Sequence, residues 1–214
     1  MFFPNIHKNN IWKKWYNTLC AITEKEHIFD FENIRNLNHN NQKLSYISES
    51  FNTELLQKVT LYSIPFGFRK SLSHLILEFS FSDWKEILLS VEARRQPWEG
   101  FSIIKSFFKH YWLIYIWWTK NDILWLRKDI RKAKIHSYIL NIPQKSMKKW
   151  FEHFVQRTNT LSKKPEYYWL FTNNCVINFF RIFKKESSRN IKFSWEIIFA
   201  WHIERYLRKY WYID

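Results

Sequence analysis

One cysteine of the chain stands where a helix is predicted to begin. Cys175 follows the polar step Thr172-Asn173-Asn174 and precedes an amphipathic run at residues 176–181. Because Thr and Asn favour the positions that cap helix N-termini, the sequence predicts a helix that starts at this cysteine. A thiol in the first turn of a helix lies at the positive end of the backbone dipoles, which favours the nucleophilic thiolate. The pattern predicts a reactive Cys175, and the alternative is a small buried core residue, as free cysteines often are.

Two alternating segments predict a β-hairpin. Apolar and other residues alternate over residues 74–81 and again over residues 86–93, with the period of a strand that has one strongly apolar face. A hairpin closed through residues 82–84 sets Leu77 opposite Leu89. A slip by one residue would set apolar against polar side chains along the whole ladder, so the faces of both strands are well determined.

The same hairpin places an imidazole opposite a carboxylate. In this register His74 lies across from Glu92, and Ser90 lies on the same face two residues away. A carboxylate beside an imidazole fixes its tautomer and stabilises its charged form, as the third member of a catalytic triad does. His74 is therefore a candidate base for Cys175, with Glu92 as the orienting residue and Ser90 as the alternative one. The other interpretation of His74 and Glu92 is a surface ion pair, which contributes under about 1 kcal/mol.

Strands precede helices along the chain, which predicts an α+β fold with an antiparallel sheet packed against helices. Further strands are predicted at residues 27–31, 60–64, 111–118 and 134–140, and the rest of the polar stretch 27–50 is predicted to be loop. A helix is predicted after Pro143, with an apolar face formed by Met147, Trp150, Phe154, Thr158 and Leu161. Ser194 is predicted to cap a last helix with Ile198, Trp201, Tyr206 and Leu207 on its apolar face. Residues 1–27 are interpreted as a basic, aromatic leader and residues 28–214 as a single domain.

Composition argues against several classes of site. The chain has two glycines, whereas phosphate-binding loops and dinucleotide fingerprints need several close together, so no nucleotide cofactor is predicted. Its two cysteines, Cys20 and Cys175, have no Cys or His partner at zinc-ligand spacing, so neither a metal nor another cofactor is predicted. No signal peptide or membrane-spanning segment is recognisable, because Lys13, Lys14 and Asn17 interrupt the apolar residues near the start. The residues alone leave the compartment open.

The charge of the chain supports a second function. A formal net charge of +15 with thirteen tryptophans suits a non-catalytic module that binds an anionic surface, whether membrane, envelope polymer or nucleic acid. The alternative is drift in the composition of an AT-rich genome. Arg94 and Arg95 are candidate contacts for a substrate carboxylate or phosphate, although a structural ion pair with Glu99 or Asp122 is favoured.

Several blocks of the chain resemble a bacterial family, the Lnb N-terminal periplasmic domain. The most specific are Ser-Val-Glu-Ala-Arg-Arg at residues 90–95 and Asn-Asn-Cys at residues 173–175. The resemblance covers residues 28 to 214. Its other blocks are residues 73–79, 98–102, 115–127, 157–161 and 165–172, with a weaker match at residues 30–36 and a closing match at residues 206–207 and 213–214. The sequence departs from the family at Leu75, Trp169, Leu170, Val176 and Ile177, which are apolar where the family tends to have polar residues.

The family is similar in layout to circularly permuted papain-like (NlpC-type) thiol hydrolases and acyltransferases, in which the histidine strand precedes the cysteine helix. The resemblance implies that Cys175 is the nucleophile, His74 the base and Glu92 the third polar residue. It implies an acyl-bearing substrate (a peptide, a lipid or an envelope component) and a place in the bacterial cell envelope. The expected reaction is hydrolysis or acyl transfer on an amide or ester through an acyl-cysteine intermediate.

Overall fold

The protein is built on one sheet with helices on both of its faces. The computed structural model describes residues 11–38, 43–66, 71–130, 132–186, 191–198, 202–210 and 212–213. In these residues the sheet has nine strands: β1 (Ala21–Lys25), β2 (Ile28–Asn38), β3 (Lys43–Asn52), β4 (Leu56–Phe66), β5 (Leu72–Phe81), β6 (Glu86–Arg94), β7 (Tyr111–Trp118), β8 (His136–Ile139) and β9 (Tyr167–Tyr168). Their spatial order is β1-β2-β7-β6-β5-β4-β8, with β3 paired to β2 and β9 paired to β7.

Six α-helices complete the described chain: α1 (Lys14–Asn17), α2 (Ile103–Phe107), α3 (Lys120–Trp125), α4 (Gln144–Lys163), α5 (Cys175–Glu186) and α6 (Ile203–Lys209). A π-helical turn, Leu126–Ile130, continues α3. Short 3₁₀ turns lie at Thr53–Leu55 and Trp195–Ile198. The predicted α+β class is confirmed. None of the described helices combines the length and the apolar character that crossing a membrane requires.

The sheet is mixed, which corrects the predicted antiparallel arrangement. Strands β2 and β7 run parallel, with Arg35 paired to Trp118. Hairpins force their two strands to be antiparallel, but β2 and β7 are joined by a long crossover that leaves the direction free. The predicted loop after residue 31 is also wrong, because β2 and β3 pair through most of that stretch. Many residues of β3 are exposed or half-buried, so the strand lacks the apolar alternation that reveals strands in a sequence.

The predicted register of the β5–β6 hairpin is confirmed. Leu77 pairs with Leu89, Phe79 with Ile87 and Ile76 with Ser90. The side chains of Leu77, Leu89 and Phe79 are buried in the main core. Because side chains alternate along a strand, this register puts His74, Ser90 and Glu92 on the other face.

The main core lies between the sheet and α4, α5 and α6. The predicted apolar face of α4 is confirmed, since Met147, Trp150, Phe154, Thr158 and Leu161 are all buried. The prediction that Ser194 caps the last helix is wrong, because α6 begins only at Ile203. Ser194 instead caps the 3₁₀ turn Trp195–Ile198, where its Oγ accepts a hydrogen bond from Glu196 N at 3.3 Å. Tyr206 and Leu207 are buried as predicted, Ile198 is half-buried, and Trp201 lies outside the described residues.

A second, smaller core covers the other face of the sheet. It joins Tyr16 of α1 and Ile123 of α3 to sheet residues that include Ile76, Leu88 and Trp118. The N-terminal segment also takes part in the sheet, since Ala21 of β1 pairs with Glu32 of β2. The boundary placed between residues 27 and 28 therefore falls inside the β1–β2 hairpin. The face of the sheet that carries His74 is consequently packed against α1 and α3.

Candidate active site

Cys175 is the first residue of α5, and the residue before it caps the helix. The Oδ1 atom of Asn174 accepts a hydrogen bond from Ile177 N at 2.9 Å, and its Nδ2 donates to Leu170 O at 2.5 Å. The predicted cap is thus Asn174, whereas Thr172 is exposed in the preceding turn. Asn173 closes that turn through paired backbone hydrogen bonds with Trp169. The local sequence therefore places the thiol in the first turn of a capped helix.

A polar network that the sequence analysis missed holds this turn. Arg157 donates to both carboxylate oxygens of Glu166, at 2.6 and 2.5 Å. Glu166 accepts from Asn173 Nδ2 at 3.1 Å, and Asn173 Oδ1 accepts from Asn178 Nδ2 at the same distance. Asn178 in turn accepts from the Tyr115 hydroxyl at 2.9 Å. The network joins β7, α4 and α5 across long stretches of sequence, so no local pattern marks it.

His74 lies against both predicted orienting residues. Its Nε2 atom is 3.1 Å from Glu92 Oε1 and 3.1 Å from Ser90 Oγ, and Ser90 donates to Glu92 Oε1 at 2.7 Å. Cys175 also influences the His74 ring, because its side chain raises the pKa of His74 and so favours the protonated form. Nε2 faces Glu92 and Ser90, which leaves Nδ1 unoccupied by these two residues. One imidazole thus responds to both the cysteine and the carboxylate.

The charges at the site favour a protonated imidazole. Burial alone would lower the pKa of His74, but the Glu92 charge and the contact with Cys175 outweigh it and raise this pKa to about 9. Burial opposes ionisation of Glu92 as well, yet the charges of His74 and Arg127 bring its pKa well below the ordinary value. At neutral pH His74 and Glu92 therefore form an ion pair.

Arg127 is a member of this cluster that the sequence analysis did not identify. It lies in the π-helical turn after α3, and its Nη2 donates to Glu92 Oε1 at 2.9 Å. No motif in the sequence marks Arg127, although it is the last residue of the matching block 115–127. Glu92 consequently accepts hydrogen bonds from Ser90 and Arg127 and pairs with His74, so its carboxylate is held from several sides.

A cavity of about 170 Å³ opens beside His74, the candidate base. It is lined by Phe66, His74, Val91, Glu92, Ala93, Arg95, Phe101, Arg127 and Tyr168. Cys175 itself is 4% exposed. Burial and then the charges of Cys175 and Glu92 raise the pKa of Tyr168 well above its ordinary value, so its phenol stays protonated. Among the candidate catalytic residues, His74 and Glu92 line this cavity, whereas the buried Cys175 does not.

Arg94 and Arg95 hold the N-terminal segment. Arg94 Nε donates to Tyr16 O at 2.9 Å, and its guanidinium lies 4.5 Å from the ring centroid of Trp12. Arg95 donates to the Tyr16 hydroxyl at 2.7 Å. The proposed ion-pair partners bind elsewhere: Asp122 pairs with Arg35, and Glu99 pairs with His110. The favoured structural role thus involves Tyr16 and Trp12 rather than an acidic residue, and Arg95 additionally lines the cavity.

Comparisons with other proteins identify the family. Searches of curated proteins and of solved structures found no match. The family model of the Lnb N-terminal periplasmic domain matches residues 43–204. The matched range is most of the chain and includes His74, Glu92 and Cys175. This chain therefore belongs to the Lnb N-terminal periplasmic domain family.

Proposed function

We propose that the protein is a cysteine-dependent hydrolase or acyl transferase that acts on an amide or ester through an acyl-cysteine intermediate. The observation that carries this proposal is the His74 imidazole, which pairs with the Glu92 carboxylate at 3.1 Å and whose pKa is also raised by Cys175. Nucleophile, base and orienting residue in hydrogen-bond contact are the arrangement that thiol enzymes use. A positively charged imidazole and a helix N-terminus are the surroundings in which cysteine nucleophiles occur.

The residues account for a balanced reaction. The Cys175 thiolate attacks the acyl carbonyl, a carbon–sulfur bond forms, and the bond to the leaving alcohol or amine breaks. The protonated His74 gives its proton to that leaving group. Neutral His74 then takes a proton from water or from an acceptor amine or alcohol, which attacks the thioester and releases Cys175. Glu92 and Ser90 keep the ring oriented through both steps.

The negative oxygen of the tetrahedral intermediate needs hydrogen-bond donors. We assign this role to backbone N–H groups at the start of α5, because they point out of the helix toward its N-terminal end. The Tyr168 phenol is a second candidate donor, since it stays protonated and its pKa responds to Cys175. The chain order, with the His74 strand before the Cys175 helix, supports a permuted papain-like arrangement.

Trapping of an acyl-enzyme tests the proposal. We expect that incubation with p-nitrophenyl octanoate adds one octanoyl group to the protein in intact-mass spectra, located on Cys175 by peptide mapping. Cys175→Ala should remove the adduct, and His74→Ala should slow its formation about 100-fold or more, the contribution of general acid–base catalysis. Cys20→Ala is the matched control and should acylate as the wild type does. An adduct that persists in Cys175→Ala, or no adduct in the wild type, would contradict the proposal.

A second candidate function, binding to an anionic lipid bilayer, rests on an exposed apolar patch beside the cysteine turn. The patch consists of the exposed Ile104, Phe107, Phe108 and Phe171 and the half-buried Trp169; Ile104 and Phe108 are 70% and 80% exposed. Phe107 and Phe171 are in ring contact, and Lys109 lies 4.4 Å from the ring centroid of Trp169. Exposed aromatic side chains next to lysines suit the interface between anionic headgroups and acyl chains.

Vesicle binding tests this second function. We expect binding to phosphatidylglycerol vesicles that weakens as salt rises, and little binding to phosphatidylcholine vesicles. Phe108→Ser should weaken the binding, whereas Trp84→Ser, which removes an aromatic that is 95% exposed in the β5–β6 turn, should not. Binding that Trp84→Ser weakens equally, or that duplex DNA supports and the vesicles do not, would argue against a lipid-binding patch.

A further inference from the structure

A second cavity adjoins the candidate active site. It has a volume of about 450 Å³ and is lined by Lys14, Trp15, Tyr16, Arg35, Leu37, Leu44, Glu92, Arg95, Trp118, Trp125, Leu126 and Arg127. Glu92, Arg95 and Arg127 also line the smaller cavity at His74. These three side chains therefore separate the two spaces. A ligand in the larger cavity would end within reach of the cluster that holds His74.

We call the three side chains of Glu92, Arg95 and Arg127 the partition between the two cavities. The partition carries more positive than negative charge. Glu92 is the one carboxylate among the described residues that line either cavity, and it already pairs with His74 and Arg127. Arg35 is compensated separately, because its Nε lies 2.9 Å from Asp122 Oδ2. Arg95 binds a phenol, the Tyr16 hydroxyl, rather than a carboxylate. With Arg35 set aside, a single carboxylate thus faces four cationic side chains: Lys14, His74, Arg95 and Arg127.

The two arginines of the partition also have unused donors. The Nε atoms of Arg95 and Arg127 are buried and have no hydrogen-bond partner in the described structure. A buried donor without a partner is costly, and the cost is greater for a charged group. A guanidinium offers Nε–H and a terminal N–H as a planar fork that fits carboxylate or phosphate oxygens. Both arginines that line the cavities therefore have hydrogen-bonding capacity that the described structure does not use.

We propose that Arg95 and Arg127 form an anion subsite for a phosphate or carboxylate group that is joined to an apolar chain. The chain would lie in the larger cavity against Trp118, Trp125 and Leu126. This inference rests on the proposed function in one respect: it takes the ligand to be a substrate of the candidate active site. It assigns to Arg95 a binding role in addition to its contact with Tyr16.

Calorimetric titration tests the subsite with octyl phosphate, octanoate, inorganic phosphate and the uncharged octyl glucoside, each below its micelle concentration. We expect octyl phosphate or octanoate to bind one-to-one and at least about tenfold more tightly than inorganic phosphate or octyl glucoside, because headgroup and chain both contribute. Arg95→Gln and Arg127→Gln should each weaken this binding about tenfold or more, the size expected for a hydrogen bond to a charged group. Arg94→Gln is the matched control, since it removes the same charge at the neighbouring position, and it should stay within about twofold.

Several results would overturn the inference. They are equal losses in Arg94→Gln and Arg95→Gln, equal affinity for octyl phosphate and inorganic phosphate, and no saturable binding of the chain-bearing anions. If a glutamine variant fails to fold, Arg95→Lys or Arg127→Lys replaces it. These keep the charge but lose the planar fork, so the same weakening is expected.

The anion subsite and the proposed catalytic function can be disproved independently of each other. Cys175→Ala should bind octyl phosphate as the wild type does, because the sulfur takes no part in holding the anion. Retained binding without any acyl-enzyme would reject the catalytic proposal and leave the subsite standing. An acyl-enzyme that forms without anion binding would reject the subsite and leave the catalytic proposal standing.

Discussion

The two cysteines of the chain differ in their surroundings although their burial is nearly the same. Cys20 is 5% exposed and Cys175 is 4% exposed, and both are free thiols. Burial and then the charge of Glu32 raise the pKa of Cys20, so its thiolate is disfavoured. Cys175 instead lies at a helix N-terminus in contact with an imidazole that is protonated at neutral pH. Two equally buried thiols can therefore have different charged neighbours, and the neighbours of a cysteine influence its reactivity.

The largest expected effect is the difference in alkylation between the two thiols. At pH 7 iodoacetamide should modify Cys175 on the order of 1000-fold faster than Cys20, because the thiolate is the reactive form. Peptide mapping by mass spectrometry after timed quenching measures both rates in one sample. Equal rates, or faster modification of Cys20, would remove the distinction. A denatured sample is the control, and there the two rates should converge.

The His74–Glu92 pair, which has no counterpart at Cys20, should make stability depend on pH. The folded protein raises the pKa of His74 to about 9, above the value of about 6.5 in an unfolded chain, so folding favours the protonated form. The resulting stability is fully present below about pH 6.5 and is lost as pH rises toward 9, a change on the order of 3 kcal/mol. Urea unfolding at pH 6 and pH 9.5 measures it.

His74→Gln is the variant to compare in that experiment, and it should lose much less stability over the same range than the wild type. His110→Gln is the matched control, because His110 pairs with Glu99 at an exposed position. An identical pH dependence in the wild type and in His74→Gln would show that the ion pair contributes nothing measurable.

Removing the imidazole should bring the two thiols closer in reactivity. In His74→Ala we expect alkylation of Cys175 at pH 7 to slow about tenfold or more, since the neighbouring positive charge that favours the thiolate is lost. The rate at Cys20 should stay unchanged, as should both rates in His110→Ala. Unaltered alkylation of Cys175 in His74→Ala would mean that the helix N-terminus, and not the histidine, controls this thiol.

The smallest effect concerns the helix cap, a feature of Cys175 alone. Asn174→Ala removes the acceptor for Ile177 N and should lower the free energy of unfolding by about 1 kcal/mol. Thr172→Ala, two residues earlier and exposed, should change it by less than about 0.5 kcal/mol. Chemical denaturation of both variants at one pH measures the difference. Equal losses would indicate that the cap is not Asn174.

Local patterns predicted the elements that carry the candidate site. The alternation over β5 and β6 predicted the pairing of Leu77 with Leu89, and the aromatic run predicted β7 at residues 111–118. The patterns failed at β3, where many side chains are exposed or half-buried and no alternation survives. They also failed for the parallel pairing of β2 with β7, because a pairing across a long crossover leaves no local signal.

Within the candidate site, the missed residues are those whose partners are distant in sequence. Arg127 contacts Glu92 from the end of α3, and Arg157 contacts Glu166 beside the cysteine turn. Arginines at such positions look like ordinary surface charges in a sequence. Their roles depend on which carboxylate the folded chain brings to them.

The sequence by itself determined which face of its strand His74 occupies and where along its helix Cys175 falls. Both follow from short-range physics: side chains alternate along a strand, and a capping side chain bonds to backbone only a few residues away. Tertiary structure alone decided that the start of α5 meets β5, that Arg127 reaches Glu92, and that Arg94 and Arg95 hold Tyr16. These contacts join segments far apart in the chain, and their geometry is set by how the sheet and the two cores close rather than by any pattern of neighbouring residues.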